Sequence, residues 1–407
     1  MLALLRNRNY ALLYFGQFCS AIGDQLYGIA LFWLAFRLTG SSTAMALVGA
    51  AQYIPYLLFG LVGGVLADRF DRRRLMIATD LARMLAVALV PALHVLGILQ
   101  AWHLGAVAMI QSSAAAFFMP ARSALMVAVL PERDYQRGAA AFSATIRTAR
   151  ILGPLLGSFL FARISLEYFF LLDAAAFLVS MLTTAAIRLQ AEGNARFPGQ
   201  SGAGSLLDGL RRIGANRNLA SCLIGNGVGM VAWTGLYSIG MVLVAEERIG
   251  GGEVTYSMLV TAYGVGNVLA NLVVGNLPVR NRTAWIFGGW LPFALGYLVL
   301  GFTTDLRMGL AAIAFAAIGG PVMDLGMSLK IRAEVDPRDL GKAYALWYTG
   351  SFGGSALGVL LFGPLFDRWS IPEGFVLGSA WLAALGLAGM LGLARGERAA
   401  SEESAAV

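Results

Sequence analysis

The stretch GGVLADRFDRRRLM (63–76) places six charged residues within seven positions, from Asp68 to Arg74. The 30 residues before Asp68, at positions 38–67, carry no charge. A charged turn between two long apolar stretches is typical of a loop that joins two membrane-spanning helices. Its acidic residues need a further explanation, because Asp and Glu contribute little to the orientation of a membrane protein.

The composition of the chain is that of a membrane protein. Of its 407 residues, 58% are hydrophobic and only 13% are charged, and the mean hydropathy is +0.70. A soluble protein is about 45–50% apolar and about 25% charged. The apolar runs are continuous and lack the alternation of β-barrel strands, so they predict helices. We expect an all-α membrane protein with twelve transmembrane helices, at 10–36, 42–66, 75–99, 104–130, 138–162, 166–187, 218–245, 255–278, 283–302, 306–329, 343–366 and 373–394.

The basic residues are distributed unevenly between the two sides of the predicted membrane. With the N-terminus inside, 21 of the 30 Lys and Arg residues, Lys330 among them, fall in cytoplasmic segments, 5 in external loops and 4 inside helices. This positive-inside bias predicts a multi-pass protein of the cell inner (cytoplasmic) membrane with both termini cytoplasmic. The net charge of +7 is thereby assigned to topology. We expect the lipid bilayer, and no nucleic acid, as a partner.

Two sequence matches indicate an internal repeat. RNRNYALLYFGQ (6–17) aligns with ANRNLASCLIGN (215–226) at an offset of 209, and RDYQRGAAAF (133–142) aligns with RDLGKAYALW (338–347) at an offset of 205. We therefore expect two pseudo-symmetric six-helix bundles that run in the same direction, an organisation that favours a transporter with alternating access. The predicted domains are an N-terminal bundle (1–189), a cytoplasmic linker (190–216), a C-terminal bundle (217–395) and a cytoplasmic tail (396–407).

Residues that bind metals and cofactors are scarce. Cys19 and Cys222 are isolated in the sequence, and His94 and His103 are the only histidines, so we expect no metal site and no cofactor. The sequence contains no catalytic cluster, which argues against an enzyme. It also lacks the phosphate-binding pattern GxxxxGK[ST], so a driving force has to come from an ion gradient.

The charged turn also carries a family motif. GVLADRFDRRR (64–74) resembles the loop signature of the major facilitator superfamily, G-x-x-x-D-R/K-x-G-x-R/K-R/K, with Asp71 in place of the usual glycine. The resemblance implies the major facilitator fold and a conformational latch, in which the aspartate meets the inner end of the eleventh helix near Lys342. The matching residues are Gly64, Asp68, Arg69, Arg73 and Arg74.

A second motif lies in the fifth predicted helix. ARILGPLLGSFL (149–160) is similar to G-x-x-x-G-P-x-x-G-G, the motif of proton-coupled antiporters in this superfamily. The matching residues are Gly153, Pro154 and Gly157. Ordinary packing of small residues between helices is the alternative explanation. Three further stretches resemble the exporter branch that includes macrolide efflux pumps and the enterobactin exporter: 16–34, 118–126 and 170–180.

Charged residues inside the predicted helices are candidates for function, because each costs about 2.5–3.5 kcal/mol to insert. On the first helix, Asp24 shares one face with Gln17 and Tyr27 and is the predicted proton site. A structural, hydrogen-bonded carboxylate is the alternative. Asp173 is assigned either to proton coupling or to an arginine pair.

The remaining charged residues of the predicted helices fall into two groups according to their predicted depth in the membrane. Near the inner ends, at the depth of the charged turn, lie three residues that we assign to the latch: Asp80, Arg83 and Arg122. Arg147 and Arg150 share one face of the fifth helix and are predicted either to pair with an acid or to contact the cargo.

Aromatic and amide side chains at helical spacing outline a cargo surface. Such a set suits a bulky amphipathic molecule, although packing is the alternative for Trp233 and Tyr237. The predicted set is Gln17, Gln111, Phe118, Asn226, Trp233, Tyr237 and Asn267. The sequence thus predicts a monomeric secondary active exporter of a small amphipathic organic compound, driven by proton antiport. A proton-independent facilitator or lipid flippase on the same fold is the alternative.

Overall fold

A computed structural model describes residues 4–59, 70–161, 163–188 and 203–405. Within these ranges every regular element is helical and no strand occurs. The long helices of the first half are α1 (Arg8–Thr39), α2 (Ser42–Phe59), α3 (Arg72–Val95), α4 (Ala101–Val129), α5 (Tyr135–Phe161) and α6 (Glu167–Ala185).

The second half begins with a short helix and continues with longer ones. Its helices are α7 (Ala203–Ala215), α8 (Arg217–Gly235), α9 (Gly252–Val274), α10 (Arg282–Gly288), α11 (Trp290–Phe302), α12 (Leu306–Ala316), α13 (Gly319–Glu334), α14 (Leu340–Phe366) and α15 (Ile371–Ala405). Beyond its end, α8 continues through two π-helical turns, Leu236–Gly240 and Val244–Arg248.

Eleven helical segments of the described residues are long and apolar enough to cross a membrane. They coincide with eleven of the predicted spans, and α10 with α11 and α12 with α13 each form one interrupted span. The predicted fifth span, 138–162, corresponds to α5, in which the shorter segment Leu152–Phe161 is apolar. The arginines of α5 lower its hydropathy, so the twelfth span is not established by this criterion. The protein is a multi-pass, all-α membrane protein.

Two helix starts are fixed by polar caps. The Asn7 side chain accepts hydrogen bonds from the backbone N–H groups of Asn9 and Tyr10 at the start of α1. Asp71 caps α3, because its carboxylate accepts the N–H of Arg74 at 2.7 Å. Such a cap contributes about 0.5–2 kcal/mol. Asp71 stands where the family motif has glycine, and its role as the N-terminal cap of α3 accounts for an aspartate at this position.

The helices group into two compact units. The first contains residues 1–40 and 47–200, and the second contains residues 41–46 and 201–407, so α2 begins in the second unit and continues in the first. The predicted linker lies partly outside the described residues, and its described part forms α7. The predicted domain boundaries stay predictions.

In the first unit, α1 packs along α6, α5 and α4, while α3 packs on α6 and α4. The seam between α1 and α6 is close because Gly16 and Gly23 face it. A methyl group on Gly16 would collide with Thr183, and a methyl group on Gly23 would collide with the carboxylate of Asp173. Small residues on one helix face permit this approach in membrane proteins.

In the second unit, α8 packs on α14 and α15, α11 packs on α12 and α15, and α10 packs on α13 and α15. Two glycines of α14, Gly354 and Gly358, lie against the backbone of α8 at Gly227 and Val231. The contact between α8 and α14 is therefore close for the same reason as the contact between α1 and α6, because glycines lie in it.

The predicted repeat recurs in the helix bounds. α5 and α14 each have 27 residues, begin 205 positions apart and follow three-residue 3₁₀ turns, Glu132–Asp134 and Pro337–Asp339, at the same offset. α1 and α8 begin with the matching caps Asn7 and Asn216. Each of these asparagines also donates from Nδ2 to the end of a later helix, Asn7 to the Val129 carbonyl and Asn216 to Glu334.

Lys330 is placed differently from the sequence-based prediction of a cytoplasmic loop. It lies inside α13 with a side chain that is 0% exposed. Its ammonium donates to Oε1 of Glu334 at 2.7 Å, and Asn216 Nδ2 donates to Oε2 of the same residue at 2.9 Å. The prediction ended this helix too early, because charges such as Lys330 and Arg332 are typical of a loop, whereas a buried ion pair lets α13 continue.

Candidate functional site

Buried and partly buried polar side chains of the first unit form one network across four helices. Each helix brings these residues to the face that packs inside the unit, because their spacing follows the helical repeat. The members, which we call the acid–arginine network, are Gln17 and Asp24 of α1, Asp80 and Arg83 of α3, Gln111 and Arg122 of α4, and Asp173 and Ser180 of α6.

A chain of hydrogen bonds runs through the network. Arg83 Nη2 donates to Oδ1 of Asp80 at 2.6 Å, and the Ser180 hydroxyl donates to Oδ2 of Asp80 at 2.7 Å. Gln17 Nε2 donates to the Ser180 hydroxyl at 3.1 Å. Arg122 Nη1 donates to Oε1 of Gln17 at 3.4 Å. Asp80 is thus tightly paired, whereas the hydrogen bond of Arg122 is the longest of these four hydrogen bonds.

The guanidinium of Arg83 lies between two aromatic rings. Its Cζ is 4.3 Å from the ring centroid of Phe118 and 4.3 Å from that of Phe177. A desolvated cation–π contact contributes about 2 kcal/mol, so the rings offset part of the cost of burying the charge. Phe118, predicted for the cargo surface, is 2% exposed and packs on Arg83.

Asp24 occupies the predicted polar face of α1 and is partly buried. The positive charges of Arg83 and Arg122 both act on it. Gly153 of α5 packs directly on Gln25, the residue after Asp24, and a methyl group at Gly153 would collide with the Gln25 side chain. The segment of α5 that resembles an antiporter motif therefore lies against the segment of α1 that carries Asp24.

Asp173 is fully buried beside Gln111 of α4. Gln111 Nε2 donates to Oδ2 of Asp173 at 3.2 Å. Among the described residues, three neighbouring oxygen atoms have no hydrogen-bond partner: Asp173 Oδ1, Gln111 Oε1 and the Tyr27 hydroxyl. Tyr27 is held by an edge-to-face contact with Phe170, with ring centroids 5.5 Å apart.

The charges of the network do not balance within the described residues. Three carboxylates, Asp24, Asp80 and Asp173, face two guanidiniums, Arg83 and Arg122. With all five groups ionised, these described side chains carry a net charge of −1. The side chains of Arg147 and Arg150 on α5 lie outside the described residues and do not enter this sum. The described part of the network therefore contains carboxylates that a proton can neutralise beside arginines that respond to their charge.

The predicted latch is only partly within the described residues. Arg73 donates to the carbonyls of Thr184 (3.1 Å) and Ala185 at the end of α6, where a cation is favoured by the helix dipole. Arg74 takes part through its backbone N–H, which donates to the Asp71 carboxylate. The structure brings three further latch residues into the acid–arginine network: Asp80, Arg83 and Arg122. The residues outside the described ranges are Gly64, Asp68 and Arg69.

Two further residues of the antiporter-like motif lie within α5. Pro154 lies inside the helix, and Gly157 is buried. The side chains of Arg147 and Arg150 lie outside the described residues, so their predicted pairing stays a prediction.

The second unit contains an aromatic cluster, which we define as Trp233, Tyr237, Tyr263 and Phe293. Trp233 stacks on Tyr237 with centroids 5.0 Å apart and an interplanar angle of 8°. Tyr263 meets Tyr237 edge-on at 5.0 Å, and Phe293 meets Trp233 edge-on at 6.0 Å. Tyr237 belongs to a π-helical turn, a feature that is frequent at functional sites. Trp233 and Tyr237 are both partly exposed.

The amides predicted for the cargo surface differ in their surroundings. Asn267 borders the aromatic cluster, because a Cβ at Gly320 would lie 3.1 Å from its Nδ2 and 4.0 Å from the Tyr263 hydroxyl. Asn226 is 1% exposed, and its Nδ2 donates to the Ser351 hydroxyl at 2.7 Å. Asn226 therefore joins α8 to α14.

The sequence-based prediction missed one member of the network, Ser180, and one residue that interacts with it, Tyr56. Ser180 follows Asp173 by seven positions, two turns along the same face of α6, and this spacing was the available signal. Tyr56 of α2 interacts electrostatically with Asp24 and Arg122. A lone tyrosine in an apolar run gives no comparable signal, since tyrosine is common at membrane interfaces.

Comparisons with known proteins agree with this architecture. The family model of the transmembrane secretion effectors, MFS_3, matches residues 1–406. Macrolide efflux protein A of Streptococcus pyogenes is 21% identical over 91% of this chain and 93% of its own length. The multidrug efflux pump Tap of Mycobacterium tuberculosis is 27% identical over 91% of both chains. The MFS-type transporter YfiS of Bacillus subtilis is 32% identical over 165 residues, which is 40% of this chain and 38% of its own length.

Solved structures show the same fold at low sequence identity. A variant of the nucleoside transporter NupG has a TM-score of 0.78 and 11% identity, covering 95% of this chain and 99% of that chain. An autoinhibited peptide transporter of the POT family has a TM-score of 0.74 and 14% identity, covering 95% and 97%. Because the family model spans nearly the whole sequence, the protein belongs to the transmembrane secretion effectors of the major facilitator superfamily, which are membrane transporters and not enzymes.

Proposed function

We propose that the protein is a secondary active exporter, which moves a drug- or siderophore-like amphipathic compound out of the cell by proton antiport with alternating access. It acts as a monomer in the cytoplasmic membrane, with both termini in the cytoplasm. The observation that carries the proposal is the acid–arginine network, in which the carboxylates of Asp24, Asp80 and Asp173 interact with Arg83 and Arg122 inside one helical unit. The efflux activity named for the relatives from Streptococcus and Mycobacterium supports the direction of transport.

The proton is carried by the acids of the network. Asp24 is the principal carrier and Asp173 the second site. A proton on Asp24 weakens the attraction between its carboxylate and the arginines Arg83 and Arg122, and departure of the proton restores that attraction. Arg122 is suited to respond to the charge of Asp24, because its hydrogen bond to Gln17, at 3.4 Å, is the longest of the four hydrogen bonds that link the network. Protonation from the outside accompanies release of cargo, and deprotonation inside resets the transporter.

The cargo contacts the aromatic cluster of the second unit. The stacked faces of Trp233 and Tyr237 supply apolar area, and Asn267 supplies an amide at the edge. Aromatic area with few polar groups favours bulky compounds that are held by contact area. A proton-independent facilitator or lipid flippase uses the same surface, and only energetics separate these functions.

Transport in inverted bacterial membrane vesicles tests the proposal. Radiolabelled macrolide, lipophilic cation and catechol siderophore are added separately, and accumulation is followed with and without a protonophore. We expect one class to accumulate against its gradient and the protonophore to collapse that accumulation. Equilibration without accumulation, or accumulation that a protonophore leaves unchanged, contradicts proton antiport and supports the facilitator or flippase.

A further inference from the structure

The start of α2 belongs to a different unit from the chain on either side of it. Residues 41–46 cluster with the second unit, whereas residues 1–40 and 47–200 belong to the first. This segment is therefore joined covalently to the first unit at both ends and is held in the second unit by non-covalent contacts. Motion of one unit against the other has to break these contacts or strain the chain on both sides of the segment.

Two successive turns of α14 make the contacts. Oδ1 of Asp367 accepts the backbone N–H of Ser42 at 2.7 Å. Its Oδ2 accepts the N–H of Thr43 and the hydroxyl of Ser41, each at 3.0 Å. One turn earlier, Gly363 lies directly against α2, since a Cβ there would be 2.8 Å from the Ser42 carbonyl oxygen. Both oxygens of one carboxylate and one glycine of α14 thus hold the first turn of α2.

The helix start does not depend on Asp367 alone. The Ser41 hydroxyl accepts the N–H of Ala44 at 3.3 Å, so α2 also carries a cap from its own sequence. Asp367 is exposed, and water can replace it as an acceptor once the contact opens. The contact can therefore break without melting α2 or leaving a buried polar group unsatisfied, which is a requirement for a contact that forms and breaks in every transport cycle.

We propose that Asp367 and Gly363 form an outer latch, which holds the first turn of α2 in the second unit while the external side of the transporter is closed. The latch rests on the proposed alternating access and on the proposed topology, which places this end of α2 outside the cell. When the external side opens, the segment 41–46 leaves with the first unit and its hydrogen bonds to Asp367 are exchanged for bonds to water. Asp367 is a positioning residue for this step.

The distance between the external ends of the two units tests the latch. Spin labels are attached to cysteines introduced by Val95→Cys, at the end of α3, and Glu247→Cys, in the last π-helical turn that continues α8. Both positions are exposed, and neither lies on α2, so fraying of α2 alone leaves their distance unchanged. The full-length protein carries Cys19→Ala and Cys222→Ala to remove the native thiols. Double electron–electron resonance in liposomes, without cargo or a proton gradient, gives the populations of short and long distances.

Two variants weaken the latch by different routes. Asp367→Ala removes the acceptor of the three hydrogen bonds, and we expect the ratio of long to short distances to rise about 5- to 30-fold. Gly363→Ala keeps the carboxylate but places a methyl group against the first turn of α2, so the ratio should rise here as well.

Glu373→Ala is the matched control. Glu373 is another carboxylate at the same end of the second unit, and it accepts the N–H and the hydroxyl of Ser370 at 2.9 and 2.8 Å, at the start of its own helix α15. Its removal should leave the ratio of the two distances unchanged, because it takes a cap from α15 and not from α2.

The outcomes separate the latch from the proposed function. A rise in both Asp367→Ala and Gly363→Ala, with none in Glu373→Ala, supports the latch. An unchanged ratio in either latch variant, or an equal rise in Glu373→Ala, overturns it and leaves Asp367 a cap of α2. The measurement uses neither cargo nor protons, so proton antiport stands or falls separately in the vesicle experiment.

Discussion

Asp80 and Arg83 form a buried ion pair, with side chains 0% and 4% exposed. Asp80→Asn removes the carboxylate to which the buried Arg83 guanidinium is hydrogen-bonded, in a low-dielectric environment. We expect a loss of about 3–5 kcal/mol in the free energy of unfolding, measured as a fall in the unfolding temperature of the purified protein in detergent.

Two further variants serve as controls for the Asp80→Asn measurement. Asp71→Asn on the same helix keeps a side-chain acceptor for the cap and should change stability little. The double variant Asp80→Asn/Arg83→Gln removes both charges and should recover part of the loss, because an unpaired buried charge costs more than a missing pair. A double variant less stable than Asp80→Asn alone would argue against this account of the pair.

Sequence spacing shows which residues of one helix share a face, and it shows little more. Asp24 with Gln17 and Asp80 with Arg83 are visible in this way, since each pair lies on one helix at helical spacing. The partner of Asp80 on another helix, Ser180, is 100 positions away, so the sequence gives no distance between them. The residues that make up the acid–arginine network can therefore be identified only from the way α1, α3, α4 and α6 pack together.

At the scale of elements, the seam between α1 and α6 depends on glycine. Gly23→Ala places a methyl group 2.5 Å from Oδ1 of Asp173 and 2.8 Å from Cβ of Ala176, so the helices must separate. Gly28→Ala on the same helix meets nothing within 4 Å and gains about 0.5–1 kcal/mol from helix propensity. We expect the unfolding temperature to fall for Gly23→Ala and to stay or rise for Gly28→Ala. Equal shifts in the two variants would show that the seam is not close-packed.

The first turn of α2 is held by a carboxylate within the second unit. Asp367 accepts the N–H groups of Ser42 at 2.7 Å and Thr43 at 3.0 Å and the hydroxyl of Ser41 at 3.0 Å. Gly363 allows this approach, because a Cβ there would collide with Ala46. We expect Asp367→Ala to cost about 1–2 kcal/mol and to speed hydrogen exchange of these amides about 5- to 30-fold. Unchanged exchange relative to the unaltered protein would contradict the cap.

The same cap has a defined pH dependence. Burial raises the pKa of Asp367, but hydrogen bonds from Thr43, Ser42 and Ser41 outweigh it and hold the pKa below the ordinary 3.8. A carboxylate whose pKa is lowered on folding stabilises the protein above that ordinary value, and the effect is lost as pH falls through the lowered value. Protection of the α2 amides should therefore be constant near neutral pH and decline only in strong acid. A decline near neutral pH would contradict the assignment to Asp367.

At the scale of the whole molecule, hydropathy and the repeat predict most of the architecture. The matches at offsets of 205 and 209 reappear as helices of equal length and as equivalent caps, because the same local sequence makes the same turns. The interruption between α10 and α11 and the extension of α13 to Glu334 were not predictable from hydropathy. The extension of α13 depends on the ion pair that the buried Lys330 forms with Glu334.

In the proposed transport cycle, Asp24 carries the transported proton. Protein reconstituted in liposomes with a trapped pH dye is given the compound that accumulates in vesicles, and proton movement is recorded for Asp24→Asn and for the control Asp305→Asn. Asp305 is an exposed cap of α12 that asparagine replaces equally well. We predict cargo-dependent proton flux in the unaltered protein and in Asp305→Asn and none in Asp24→Asn. Normal flux in a correctly folded Asp24→Asn protein would contradict the claim and leave Asp24 a structural residue.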